Sequence, residues 1–322
     1  MEIKVQKFSS FIDELFQEDN AFDSIREEYI ESQYDELIEA LITFGGQAYP
    51  KFGNIVIMAG GAGSGKGFVK DKLVGIEGKV FDVDELKTLA AKTPIIRKRA
   101  KAEFGVDLEA IALKKGALKN EKNVAKLHEI IGDEMKLPDR RMKAFFASVL
   151  TAPSDRKPNI IFDVTLKDLR KLQNITRQVS AIGYPKENIH IVWVVNDIEV
   201  AKQQNLERDR RVPVEILINT HRGASQTMGD IVNMGEGLRK YMDGDIAFAF
   251  NKVDVDSEVM KSGKAGQKIG MKGKTKGGMY IKDANYFYVK RKGKPPTPVA
   301  KLDKELRMKI NSYVPKGVQW DA

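Results

Sequence analysis

Asn54-Ile55-Val56-Ile57-Met58-Ala59-Gly60-Gly61-Ala62-Gly63-Ser64-Gly65-Lys66 decides the fold. Ile55–Ala59 is an uninterrupted apolar run of strand length, and it feeds directly into G-x-x-x-x-G-K. Beyond the lysine, Phe68, Val69 and Leu73 recur at helical spacing up to Gly75. A strand, a glycine-rich turn and a helix in this order build a phosphate cradle. Glycines let backbone N–H groups point inward, the helix start adds partial positive charge, and lysine reaches the β- and γ-phosphates. A glycine-rich turn that binds nothing shares the composition but does not need the flanking strand and helix. The pattern predicts a nucleoside triphosphate, ATP, held by Gly60, Gly61, Ala62, Gly63, Ser64, Gly65, Lys66, Gly67 and Phe68.

Outward from this loop, apolar runs alternate with helical stretches. Lys79–Val83, Asn159–Asp163, Ile189–Val195 and residues 245–255 read as further buried strands, with a long Lys- and Ala-rich helical stretch between the second and third. Strands alternating with helices predict an α/β fold with a mainly parallel sheet sandwiched by helices. Phe8 to Phe16 and Ile30 to Leu41 predict two acidic N-terminal helices. Met279–Ile281 and Tyr286–Val289 predict a basic C-terminal hairpin turning at Asp283–Ala284–Asn285, and Leu302–Ile310 a short helix. The expected organisation is an acidic helical segment over 1–50, a phosphate-loop core over 51–256, and a basic region of loop, hairpin and helix over 257–322.

The loop departs from its pattern at one place. Gly67 stands where Ser or Thr normally offers a hydroxyl to Mg²⁺, so a carboxylate elsewhere has to serve, and Asp163 at a strand tip is the choice. Capping the following helix is its alternative role. Asp82 and Asp84 follow the second strand at the sheet edge where ligands bind in such folds. Asp84 there suits proton abstraction from an attacking hydroxyl, and capping the next helix is its plainer role. Asn205 to Pro213 is dense in arginine. On a helix Arg208 and Arg211 would share a face and close over phosphates, or simply form a solvated face with Glu207, Asp209 and Glu215.

The order of Lys66 in its loop, F-D-V-D with Asp84, I-I-F-D-V-T-L with Thr165, and R-D-R-R-V-P resembles the zeta-toxin-like P-loop kinases over roughly residues 53–255. That group includes kinases of UDP-N-acetylglucosamine and phage kinases acting on nucleic acids or hydroxymethylated DNA bases. The resemblance implies Lys66 on phosphates, Asp84 as base, Thr165 near the substrate, and Arg208 and Arg211 as phosphate clamps; Asp82 is expected beside the substrate as well. The toxins show E-G-T where this chain has Asp163–Val164–Thr165, and their lid arginines lie farther apart.

Charge is distributed unevenly. Residues 1–50 carry 12 acids against 3 bases, whereas 261–294 carry 11 bases against the single acid Asp283. The overall +9 is therefore local, as expected of a contact to a polyanion. With Tyr280, Tyr286, Phe287 and Tyr288 interleaved, the partner expected for 261–294 is nucleic acid, with bases stacking on the rings; the same rings suit a hairpin core. The acidic N-terminus is expected to face a protein partner. Zero cysteines exclude disulfides and thiolate chemistry, and no apolar run reaches the length of a membrane span. A cytoplasmic kinase with nucleic acid as acceptor is the resulting expectation. Its alternatives are a nucleotide-sugar kinase and an NTPase stimulated by nucleic acid.

Overall fold

β1 (Ile55–Ala59) is buried along its whole length and delivers the chain to the glycine loop from the middle of the sheet. In this computed structural model the described residues are 42–47, 50–253, 266–274, 280–318 and 320, all within a unit that begins at Ile42. The N-terminal helices expected over 1–41 lie outside them.

After the loop come α1 (Lys66–Val69), continued by one π-helical turn to Val74 and stopped by Gly75, then β2 (Lys79–Asp82). Four helices follow: α2 (Val83–Lys92), α3 (Pro94–Phe104), α4 (Glu121–Leu127) and α5 (Leu137–Leu150). The chain returns through β3 (Ile160–Asp163), α6 (Leu169–Ala181), β4 (Ile189–Asn196), α7 (Ile198–Glu207), α8 (Val214–Asn233) and β5 (Ile246–Val253). It closes with β6 (Gly266–Lys274), β7 (Tyr280–Lys290) and α9 (Lys304–Tyr313).

The strand order is β2-β3-β1-β4-β5-β7-β6. The first five strands are parallel, and β7 and β6 add antiparallel at one edge. The expected α/β architecture is therefore present. Parallel strands covered on both faces must be apolar throughout, and every residue of β4 is buried. One core spans the sheet and its helices, including Trp193, Phe248, Ile310 and Trp320; a second, around Leu108, Leu127, Ile130 and Ile131, sits among the helices between β2 and β3.

One local expectation is corrected, and one alternative role is set aside. Asp283–Ala284–Asn285 is not a turn: it continues β7 opposite Lys252, Asn251 and Phe250 of β5, and the hairpin partner is β6, drawn from the Gly/Lys segment. The ladder to β5 supplies the backbone partners that a turn would otherwise have had to leave to water. Secondly, the helix after β2 is capped by Asp82, not Asp84. The Asp82 carboxylate accepts from the N–H groups of Asp84 and Glu85 at 2.7 and 3.2 Å, leaving the Asp84 side chain free of that duty.

Candidate active site

The glycine loop lies at the C-terminal ends of the parallel strands, and its shape is held from below. The Gly60 N–H donates to the Thr165 carbonyl at 3.3 Å, and Asn196 at the end of β4 donates to Gly63 O at 3.2 Å. From α8, His221 Nε2–H donates to Ala62 O at 2.8 Å, while Thr220 Oγ1 accepts from Ala62 N at 3.2 Å. Gly61 packs on the His221 ring so closely that a Cβ would sit 2.1 Å from Cδ2. Gly65 enters the helix at φ 87°, in the left-handed region that favours glycine. Lys66 arches back, donating to Gly60 O at 2.9 Å and Gly61 O at 3.3 Å, with Nζ 3.6 Å from Asp163.

Above the loop opens a cavity of about 1160 Å³. That exceeds the roughly 300–1,000 Å³ of a site for one small ligand and suits a nucleotide plus a second reactant. Its wall contains Ala62 to Phe68, Asp82, Asp84, Asp163, Thr165 and Arg208. These expected residues, scattered over the sequence, are thus brought together. Gly60 and Gly61 lie beneath the loop, against Ser64 and His221. Arg211 is not part of the wall.

The helical face expected to pair Arg208 with Arg211 does not form, for a local reason. α7 ends at Glu207, so residues 208–213 have no helical face for Arg208 and Arg211 to share. The Asn205 side chain closes this segment, donating to Val212 O at 2.7 Å and accepting from Val212 N at 3.0 Å. The arginine that reaches the centre is Arg210, whose Nη2 lies 3.0 Å from Asp84 Oδ1. Lys87, one turn further along α2, touches the same oxygen at 3.1 Å. Neither was expected from motif spacing, although Lys87 at i+3 from Asp84 was findable once α2 was placed. His128 lines the same side of the cavity.

Electrostatics separate the two key carboxylates. Burial pushes Asp84 up, but the Arg210 and Lys87 charges outweigh it and hold the carboxyl below its ordinary value. Asp163 is pushed up by burial, which Lys66 only partly offsets and neighbouring Asp82 reinforces. Asp82 and Asp163 are register partners at the tips of β2 and β3. A cation beside Asp163 would relieve that strain. Among the described residues no group of three or more His, Cys, Asp or Glu gathers. Gly67 leaves open space, a Cβ meeting nothing within 4 Å.

The basic C-terminal segment is engaged in the fold where its side chains are described. Tyr286 and Phe287 are 1% and 3% exposed, so neither ring is available for a base to stack on. The Tyr288 hydroxyl bonds Thr43, and Arg291 lies 3.8 Å over the Tyr288 ring. Lys290 is buried against Asp243 at 2.8 Å. The Tyr280 side chain and the lysines of 261–285 lie outside the described side chains. No helix among the described residues is long and apolar enough to cross a membrane.

Fold and loop together define an α/β protein carrying a phosphate-loop motif at the C-terminal edge of a parallel sheet. No protein-family description matches the chain, and no curated protein does. Among solved structures it is similar to a chain of the AvrRxo1-ORF1:-ORF2 complex crystallised with ATP, at 12% identity and TM-score 0.40, covering 72% of this chain and 64% of that one. It is also similar to a chain of the PezAT chromosomal toxin–antitoxin system of Streptococcus pneumoniae, at 14% identity and TM-score 0.36, covering 70% and 76%. This chain spans less than two thirds of the AvrRxo1 chain it overlaps. TM-scores this low mark partial overlap of chain path, and function has to be read from the site.

Proposed function

We propose that the protein is an ATP-dependent kinase that transfers the γ-phosphoryl group to a hydroxyl acceptor. The observation that carries this reading is one cavity lined by Lys66 in its loop, by Asp163 and by Asp84, with room for two reactants. Lys66 and Arg208 neutralise the phosphates and hold them for in-line transfer. Asp84 accepts the proton of the acceptor hydroxyl as its oxygen bonds to the γ-phosphorus; the bond from that phosphorus to the β–γ bridging oxygen breaks and ADP leaves. Thr165 and Asp82 border the acceptor's path. Asp163 would hold Mg²⁺, which when bound supplies charge neutralisation on the β- and γ-phosphates.

For the acceptor, two readings stand. Nucleic acid, including a 5-hydroxymethyl base in phage DNA, is supported by the charge of 261–294, now without the help of Tyr286 and Phe287. A nucleotide sugar is supported by the depth of the cations around Asp84, since Lys87 is only 4% exposed. Transfer of label from γ-³²P-ATP into DNA with and without hydroxymethylated bases, RNA, nucleosides and nucleotide sugars decides between them. Labelled product is expected in one class. Free phosphate alone would instead establish an NTPase.

A further inference from the structure

A base meant to take a proton should not be saturated with cations, yet Asp84 Oδ1 touches Lys87 Nζ at 3.1 Å and Arg210 Nη2 at 3.0 Å. The two cations are anchored differently. Lys87 belongs to α2 and is 4% exposed, so it stays. Arg210 belongs to the non-helical segment between α7 and α8, where its Nη1 also reaches the Asp84 carbonyl at 3.5 Å. Glu207 and Asp209 line the same cavity, but among the described residues neither forms an ion pair with Lys87 or Arg210. Asp84 is thus the anion that these two cations share, and the Arg208 side chain lies in the same wall.

We propose that Lys87 and Arg210 form an anion subsite for the phosphoryl acceptor, which Asp84 occupies until the acceptor arrives. A phosphate carried by the acceptor draws Arg210 away, and that exchange leaves Asp84 with one cation and able to accept the hydroxyl proton. The substrate class follows: a hydroxyl compound that already bears a terminal phosphate or diphosphate, not a neutral nucleoside. The same exchange keeps the base silent towards water when only ATP is bound. This inference rests on Asp84 as the base of the kinase reading, but the subsite is testable by binding alone.

The test uses the full chain saturated with a non-hydrolysable ATP analogue, so that the glycine loop is filled, and inorganic phosphate titrated by calorimetry. Asp84→Asn removes the resident anion at constant shape and is expected to bind phosphate about tenfold tighter than wild type. Arg210→Gln is expected to bind it about tenfold more weakly, with Arg210→Lys restoring part of the loss. Equal affinity in wild type and Asp84→Asn would overturn the subsite. Failure of the analogue to bind would overturn the nucleotide reading instead, and the subsite is then decided by the difference between Asp84→Asn and wild type, since an empty glycine loop contributes equally to both. A nucleoside 5′-monophosphate is expected to show the same Asp84→Asn gain. An oligonucleotide with internal phosphodiesters only is expected to show none, and a gain there would overturn the small phosphorylated acceptor.

Discussion

His221 Nε2–H donates to the Ala62 carbonyl at 2.8 Å, so α8 props up the phosphate loop from a position 159 residues further along the chain. The ring fills the space that a side chain at Gly61 would need, with a Cβ there only 2.1 Å from Cδ2. Gly61→Ala is therefore expected to displace the ring or the loop, costing about 1–3 kcal/mol of stability and weakening ATP binding. Gly67→Ala is the matched control: its Cβ meets nothing within 4 Å, and it should stabilise α1 by about 0.5–1 kcal/mol. Denaturant titration of both variants checks the contrast, and equal behaviour would contradict it.

Acid should loosen this prop. Burial pushes His221 down to about 4 and His190, which accepts from the Asp245 N–H at Nδ1, down to about 3. Both stay neutral in the fold but take up protons in the unfolded chain near pH 6.5. Their contribution is complete above that pH and is lost as pH falls from 6.5 towards 4 and 3. At pH 5.5 each is expected to cost about 1.4 kcal/mol relative to pH 8. Denaturant midpoints at the two pH values measure the loss, and His221→Gln should remove part of it.

Substitution of Lys66 and of Asp84 should separate binding from chemistry. Lys66→Ala is expected to abolish ATP binding and transfer together. Asp84→Asn should keep ATP binding and lower transfer by about 10²–10⁴-fold. Label transfer beside equilibrium binding reads both, and full transfer by Asp84→Asn would remove Asp84 from its role.

The two arginines that sequence spacing pairs should behave differently. Arg208 lines the cavity and Arg211 does not, so Arg208→Ala is expected to lower kcat/KM about 10–100-fold and Arg211→Ala to leave it within a few-fold. Steady-state kinetics on the identified acceptor test this.

Against the same helix α8, Trp320 stacks on Trp193 at 5.3 Å between centroids, and its Nε1–H donates to Ser225 Oγ at 2.8 Å. Trp320→Ala is expected to destabilise the fold by about 3–5 kcal/mol. Trp320→Phe should recover most of the packing while leaving the Ser225 hydroxyl without its donor. Thermal melts of the two variants measure the difference.

How much of this was legible depended on whether the signal was local. β1 and its loop were readable because an apolar run ending in G-x-x-x-x-G-K constrains each position by itself. The strand-tip acids Asp82 and Asp163 were readable because buried parallel strands end abruptly in polar residues. Arg210 was not, since helical spacing was carried past Glu207 and nothing local announces that Asn205 will bond across to Val212. The Asp283–Ala284–Asn285 segment has turn composition, and only its pairing with β5, more than 30 residues upstream, keeps it extended. The support of the loop by His221 was hidden for the same reason: a single histidine on a long helix has no pattern.

The stacking of Trp320 against Trp193 also sets an order of events during synthesis. β4 carries Trp193 and lies beside β1, the strand that presents the glycine loop. A ribosome must therefore release residue 320 before that part of the interior can shut. Until then Trp193 lacks the indole that stacks on it in the folded chain. The face of β4 that carries Trp193, one strand away from the glycine loop, is therefore closed by a residue made long after the loop itself.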